Sequence, residues 1–283
     1  MSDKVAKVNL LLQVYVSRKR LESFSLVADS SYISQNASRI CRALFELMLK
    51  RGWPSLAETL LTLSKAVDRR IWPHHSPLRQ FENTLKPETI YKLEERDATV
   101  DHLIDMSAKE VGDLLRLNAV VGAQVKRCVE QLPHVNLEAV VQPITRSVLR
   151  VSATVLPEFT WRDEVHGQTQ QWLIWVEDPV NEHIYHKETF TLSKKQYKEG
   201  RQTLAFTIPI FDPRPPQYFL RATHLYWLGC ESFLELDLED IVLPTEPPPN
   251  TELLDLDPLP RSCLLYTSPS PRDRTRSRMP SSA

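Results

Sequence analysis

The chain has 283 residues, 42% hydrophobic and 25% charged, a globular composition that excludes a disordered or fibrous protein. Its 35 Lys and Arg against 36 Asp and Glu give a net charge of −1, so no overall positive field marks it as a nucleic-acid binder, and such binding needs a local stripe. Six glycines and no GxxxxGK(S/T) string exclude a Walker-type nucleotide site within the chain.

The first apolar stretch, Val8 to Val16, contains Gln13 and is well short of the roughly 20 residues of a membrane span. Met1 is followed by Ser2, Asp3 and Lys4 with no signal-peptide core, so a soluble nuclear or cytosolic protein is expected. Up to about Pro133 the hydrophobic period is near 3.6. Ile33, Ala37, Ile40, Cys41, Leu44 and Met48 share one helical face, with Gln35, Arg39, Arg42, Glu46 and Lys50 on the other. Gly52 closes this helix and Pro54 lies just past it, while Ser55 is placed to cap a second helix over 56–71. After a turn-rich loop (73–77), shorter amphipathic segments at 87–96, 107–117 and 120–131 read as a small three-helix unit joined through Gly122, and Ser107 with Glu110 fits a capping box.

After Gln142 the period changes to two. Leu149, Val151, Ala153 and Val155 alternate with Arg150, Ser152 and Thr154, and further β-type runs follow at 172–177, 184–192, 203–211, 218–228 and 232–238. Six or seven short strands over about 100 residues predict an antiparallel sandwich of immunoglobulin or fibronectin type. No strand alternates with a helix, which excludes a doubly wound nucleotide fold. The expected class is therefore multidomain α+β, helices first and a β-sandwich last. From Pro244 the string PTEPPPNTELLDLDPLP reads as an extended acidic linker. Residues 263–283 resemble a translated sequencing adapter and carry no fold expectation, so native sequence is expected only to about Ser262. Without that tail's four Arg and one Asp the net charge is −4, and the remaining Cys41, Cys128 and Cys230 form no disulfide framework, which points to a reducing compartment.

Asp163-Glu164-Val165-His166 is a formal DExH string, but Thr160, Trp161 and Arg162 precede it where a buried apolar strand is required, so a β-turn between sandwich strands is expected. His183 and His186 lie three apart on a strand and point to opposite faces, and His74 with His75 reads as an ordered turn, so no metal site is expected. No GxSxG elbow supports a serine nucleophile, and no catalytic residue is assigned. The helix bearing Asn36, Arg39 and Arg42 is the better candidate, since guanidiniums at i and i+3 beside Gln35 and Asn36 can meet phosphates and base edges of one strand. A solvated face with an Arg42–Glu46 pair gives the same pattern. Lys126 and Arg127, just after Gly122, offer a second phosphate contact or an ordinary surface helix. Trp161, Trp172, Trp175, Tyr185, Tyr218, Tyr226 and Trp227 crowd the sandwich, most of them as core residues and some available for docking a partner.

Several strings in one order then point to a family: SYISQNASRICRALFELMLKRGW (31–53), LSKAVDRRIW (63–72), PLRQF (77–81), QPITRSVLRV (142–151), WVEDPVNEHIYH (175–186), FTIPIFDPRPPQYFLRA (206–222) and TELLDLDPLP (251–260). Together they resemble the Sec-sixty-three-homology unit of large superfamily-2 helicases, over essentially residues 5–260. The resemblance implies a helical bundle over 1–82 truncated at its start, with a ratchet-type helix at 31–50 along the translocating strand. It further implies a helix-hairpin-helix-like module over 83–138, an immunoglobulin-like sandwich over 139–244 and an inter-cassette linker over 245–262. Arg39 and Arg42 become strand contacts, although related helicases can carry an aromatic about two turns later, where this chain has Glu46. The same resemblance implies ATP-driven 3′ to 5′ unwinding of RNA or DNA, with ATP and Mg²⁺ held by motor domains elsewhere in a longer protein and no cofactor in this chain. The implied partners are single-stranded RNA or DNA, those motor domains, and subunits of an activating signal cointegrator complex or other proteins. The alternative is a protein-interaction unit like that of a translocon-type J-protein, with no nucleic-acid role.

Overall fold

The computed structural model describes residues 3–211 and 213–244, so the expected linker at 245–262 and the adapter-like tail at 263–283 lie outside the described residues. The chain opens with α1 (Lys4–Val16), whose N-cap Asp3 accepts from the Val5 amide. A long α2 (Phe24–Arg51) follows, then α3 (Pro54–Arg69). Gly52 ends α2 in the left-handed region at φ 77°, a conformation that glycine adopts without a Cβ penalty. Pro54 then starts α3 at its first turn, where a missing N–H costs nothing; Trp53, not the expected Ser55, is the N-cap.

The buried face of α2 is rotated from the expected one. Ser30, Ser34, Phe45 and Leu49 point inward, whereas Ile40 is 54% exposed. Small side chains explain the rotation: Ser38 Oγ lies 3.1 Å from Ser64 Oγ, so α2 and α3 approach through serines and Ala57 where branched residues would hold them apart.

A 3₁₀ turn at Pro77–Phe81 leads into α4 (Pro87–Glu95), α5 (Val100–Asp105), α6 (Ala108–Leu114) and α7 (Ala119–Gln131). The Ser107–Glu110 capping box is present at the start of α6. Gly122 is no joint: it lies in the first turn of α7, and a Cβ there would run into the Ala108 carbonyl and stand 2.8 Å from the Gly112 nitrogen, so it sets how closely α6 and α7 pack.

The sandwich begins earlier than the sequence period suggested, with β1 (Val135–Thr145) pairing antiparallel with β2 (Val148–Pro157). After α8 (Asp163–His166) come β3 (Thr169–Asp178), β4 (His183–Ser193), α9 (Lys194–Glu199), β5 (Gln202–Pro209), β6 (Gln217–His224) and β7 (Glu231–Asp237). One antiparallel sheet runs β1-β2-β5 and the other β4-β3-β6-β7, which is the α+β sandwich class expected. Pro143, at a register shift in β1, is tolerated because β1 is an edge strand.

The central strand β3 positions the helices. Trp172, Ile174 and Val176 point into the sandwich core, while Leu173 and Trp175 on the opposite face pack with Phe45, Leu49, Ala57, Leu61 and Ile184. A strand buried on both faces reads as a continuous apolar run, as WLIWV does. The hairpin of α2 and α3 therefore covers the outer face of the four-stranded sheet. Trp175 Nε1 donates to Glu177 Oε2 at 2.7 Å, and Arg221 bridges Glu177 at 2.8 Å and Glu58 of α3 at 3.1 Å, which ties that cover down.

Candidate nucleic-acid interface

Tyr32, Asn36, Arg39, Ala43, Leu47 and Lys50 follow one another at three- and four-residue steps and share the face of α2 turned away from α3 and the sheet. Tyr32 is 73% exposed. The polar groups are linked along the face: Asn36 Nδ2 donates to the Tyr32 carbonyl at 2.8 Å, and Arg39 Nη2 donates to Asn36 Oδ1 at 2.9 Å. Arg39 has no carboxylate within ion-pair distance among the described residues. Its charge is therefore uncompensated and solvent-facing, with the exposed Leu47 two turns further along the same face.

Arg42 does not pair with Glu46. Its Nη2 donates to the Leu225 carbonyl at 3.0 Å, and its guanidinium lies 5.2 Å from the centre of the Tyr226 ring. It joins α2 to the loop between β6 and β7. In the same loop the Tyr226 carbonyl accepts from Arg69 Nε at 3.2 Å, and the Arg69 guanidinium stacks over Trp227 at 5.0 Å. The loop is fixed from within by His224, whose Nδ1 accepts from the Tyr226 and Trp227 amides at 3.0 and 3.1 Å, which leaves Nε2–H to donate to Gln170 Oε1 at 2.7 Å. Burial holds the His224 pKa far below its ordinary value, so the imidazole is neutral.

Lys126 is used elsewhere. Its ammonium caps the carbonyls of Leu103 and Ile104 at the C-terminal end of α5. The adjoining cavity, about 780 Å³, has six carboxylates in its wall, Glu94, Asp97, Asp101, Glu130, Glu158 and Glu231, against Lys126 and the pair His74 and His75, a balance that disfavours phosphate. Arg127 is exposed on the next position of α7. The structure thus groups Asn36, Arg39 and Arg42 on one helix and sets Lys126 and Arg127 on another.

The remaining motifs have structural partners. Asp163 forms the N-terminal end of α8, one helical turn where a β-turn was expected, and pairs with Lys194 at 2.6 Å. His166 is buried, accepting from the Arg162 amide at 2.9 Å and bonding the Gln131 carbonyl at 2.8 Å. The His183 ring sits against Gly52, and His186 stacks on Phe206 at 3.9 Å. Trp172, Trp175, Tyr218 and Trp227 are core; Tyr226 is 49% exposed. Sequence reasoning missed Arg69 as a partner of Tyr226, and no local pattern links them.

Residues 1–237 match the Sec63 Brl domain family. Over 264 residues the chain is 50% identical to the activating signal cointegrator 1 complex subunit 3 proteins of Gallus gallus and Homo sapiens, covering 93% of this chain and 12% of each relative. It is 45% identical over 270 residues to the DExH-box ATP-dependent RNA helicase DExH14 of Arabidopsis thaliana, covering 94% of this chain and 12% of that protein. The chain thus spans about an eighth of the length of these relatives. No helix among the described residues is long and apolar enough to cross a membrane.

Proposed function

Because the chain belongs to the Sec63 Brl domain family, we propose that it is a non-catalytic accessory unit of an ATP-dependent 3′ to 5′ RNA or DNA helicase of the nucleus and cytosol. It guides the translocating single strand along α2 and scaffolds the motor domains, which bind ATP and Mg²⁺, together with subunits of a cointegrator complex. The carrying observation is the Arg39 charge, without a carboxylate partner among the described residues, on the solvent face of a 28-residue helix, hydrogen-bonded to Asn36 and sharing that face with the exposed Tyr32 and Leu47. A guanidinium with no carboxylate partner is available to phosphate, and exposed apolar side chains along the same face suit unstacked bases. Arg42 serves both roles, since its charge lies one turn from Arg39 while its bond to Leu225 fixes the helix to the sandwich.

The test is a salt titration of fluorescein-labelled single-stranded RNA against the chain and its Arg39→Ala variant. Each phosphate contact adds about −0.7 to the slope of log affinity against log salt, so the variant should show a slope shallower by about that amount. Equal slopes would remove Arg39 from the strand path. A second reading, a protein-docking unit, is favoured by the exposure of Ile40, Leu44 and Leu47 on α2. It would stand if no strand binds at low salt.

A further inference from the structure

Resting on the strand-guiding reading, we propose that the cleft between α3 and the β6–β7 loop is a second nucleotide site, where one base of the single strand stacks on Tyr226 and its phosphate meets Arg69.

The cleft, about 330 Å³, is walled by Arg69, Gln170, Gln171, Tyr226 and Trp227 and sits at the small end of ligand-pocket volumes. Its floor is rigid. Gln170 is buried, with its oxygen held by His224 and its amide nitrogen bonded to the His166 and Thr169 carbonyls. Gln171 Oε1 accepts from the Tyr226 hydroxyl at 3.2 Å, which anchors the ring by its edge and leaves the Gln171 amide N–H groups without a partner among the described residues. Arg69 spends Nε on the Tyr226 carbonyl and rests on Trp227, yet has no carboxylate within ion-pair distance among the described residues. The site therefore presents a guanidinium and a carboxamide donor beside an aromatic ring that is half exposed and already anchored.

A guanidinium fork suits phosphate, and an aromatic face accepts any base. Continuity with α2 points to a strand over a free anion or an acidic peptide. Arg42 lies over the Tyr226 ring, whose carbonyl accepts from Arg69, and Arg39 is one turn before Arg42 on α2, so cations and aromatic follow in order from α2 across the loop to α3. The carboxylate-rich cavity lined by Gly229 of the same loop and by Glu231 disfavours a strand. The path accordingly leaves α2 over the sandwich on the Arg69 side.

The test uses the whole chain and a fluorescein-labelled 12-residue oligouridylate. Tyr226→Leu should lower affinity about tenfold with the salt slope unchanged, while Tyr226→Phe, which loses only the hydroxyl bond to Gln171, should hold affinity within about twofold, because the ring face and not the hydroxyl carries the contact. Arg69→Gln should flatten the slope by about 0.7. Independently of any variant, an oligonucleotide bearing 5-iodouracil should crosslink on irradiation to the tryptic peptide 222–261. If Arg39→Ala weakens binding but Tyr226→Leu does not and no crosslink reaches that peptide, the second site is overturned and the α2 reading stands. If the unmodified chain binds no strand, both fall. A Tyr226→Leu chain that fails to fold leaves the crosslink to decide.

Discussion

Gln80 and Leu228, 148 residues apart, share both halves of one amide: Gln80 Nε2 donates to the Leu228 carbonyl at 2.9 Å, and the Leu228 amide donates to Gln80 Oε1 at 3.1 Å. A side chain here completes the pairing that a neighbouring strand would give, and it fastens the PLRQF turn to the β6–β7 loop. Replacing Gln80 by Leu leaves a half-buried N–H and C=O without partners, so a loss of about 1–3 kcal/mol is expected in urea denaturation. Gln80→Glu keeps an acceptor but loses the donor, and it should fall between the two. A Leu variant as stable as the parent would mean that water replaces both bonds.

Lys65 is fully buried on α3, its ammonium has no hydrogen-bond partner among the described residues, and Glu231 is its ion-pair partner there at 3.5 Å. Desolvation lowers its pKa against the pull of Glu231. A buried, poorly partnered charge contributes little, so Lys65→Met, similar in length and apolar, should leave stability unchanged or raise it by about 1–2 kcal/mol. A drop of several kcal/mol on denaturation would show that the ammonium is satisfied in solution.

Gly122→Ala places a methyl group against the Ala108 carbonyl and the Gly112 nitrogen, both of them backbone atoms that cannot rotate away. The variant should lose about 1–3 kcal/mol as α6 and α7 part. Gly112→Ala, whose nearest contact would be 3.1 Å, should cost less. The thermal midpoints of the two variants give the order directly.

Acid should weaken the fold above the carboxylate range. His224 accepts two backbone N–H groups at Nδ1, and burial holds its pKa far below 6.5; burial lowers His166, His75 and His186 as well. The unfolded chain binds these protons near pH 6.5 and the folded chain does not. The stability they provide is therefore complete above that pH and falls as pH drops below it, by up to about 1.4 kcal/mol per unit for the buried His224 and by less for the other three. Unfolding free energies from urea denaturation at pH 7.5 and 5.5 should differ by about 2 kcal/mol, and His224→Gln should reduce the difference. A flat profile would place a proton on the folded imidazoles.

Much of this architecture was legible. The αL stop at Gly52, the capping box at Ser107 and the alternation of β2 are local signals, and each appears where the pattern placed it. What escaped depends on distant partners or on short elements. At six residues, α5 is too short to show a helical period. In β1 an edge position admits Glu138 and Pro143, which mask the strand. The face of α2 was misjudged because serines, which score as polar, are what let α3 close in. Arg39 was readable on its helix, but Arg42 and Leu225 are 183 residues apart, so nothing local shows that Arg42 reaches the loop that presents Tyr226.

The double-sided burial of β3 has a mechanical consequence. Trp172 faces the sandwich interior and Trp175 faces α2 and α3, so neighbouring stretches of one strand belong to both packing layers. A pull on α2 along its axis is borne by the backbone ladder of the sheet and not absorbed in a hinge. The long helix and the sandwich should therefore move as one lever and melt in one cooperative transition.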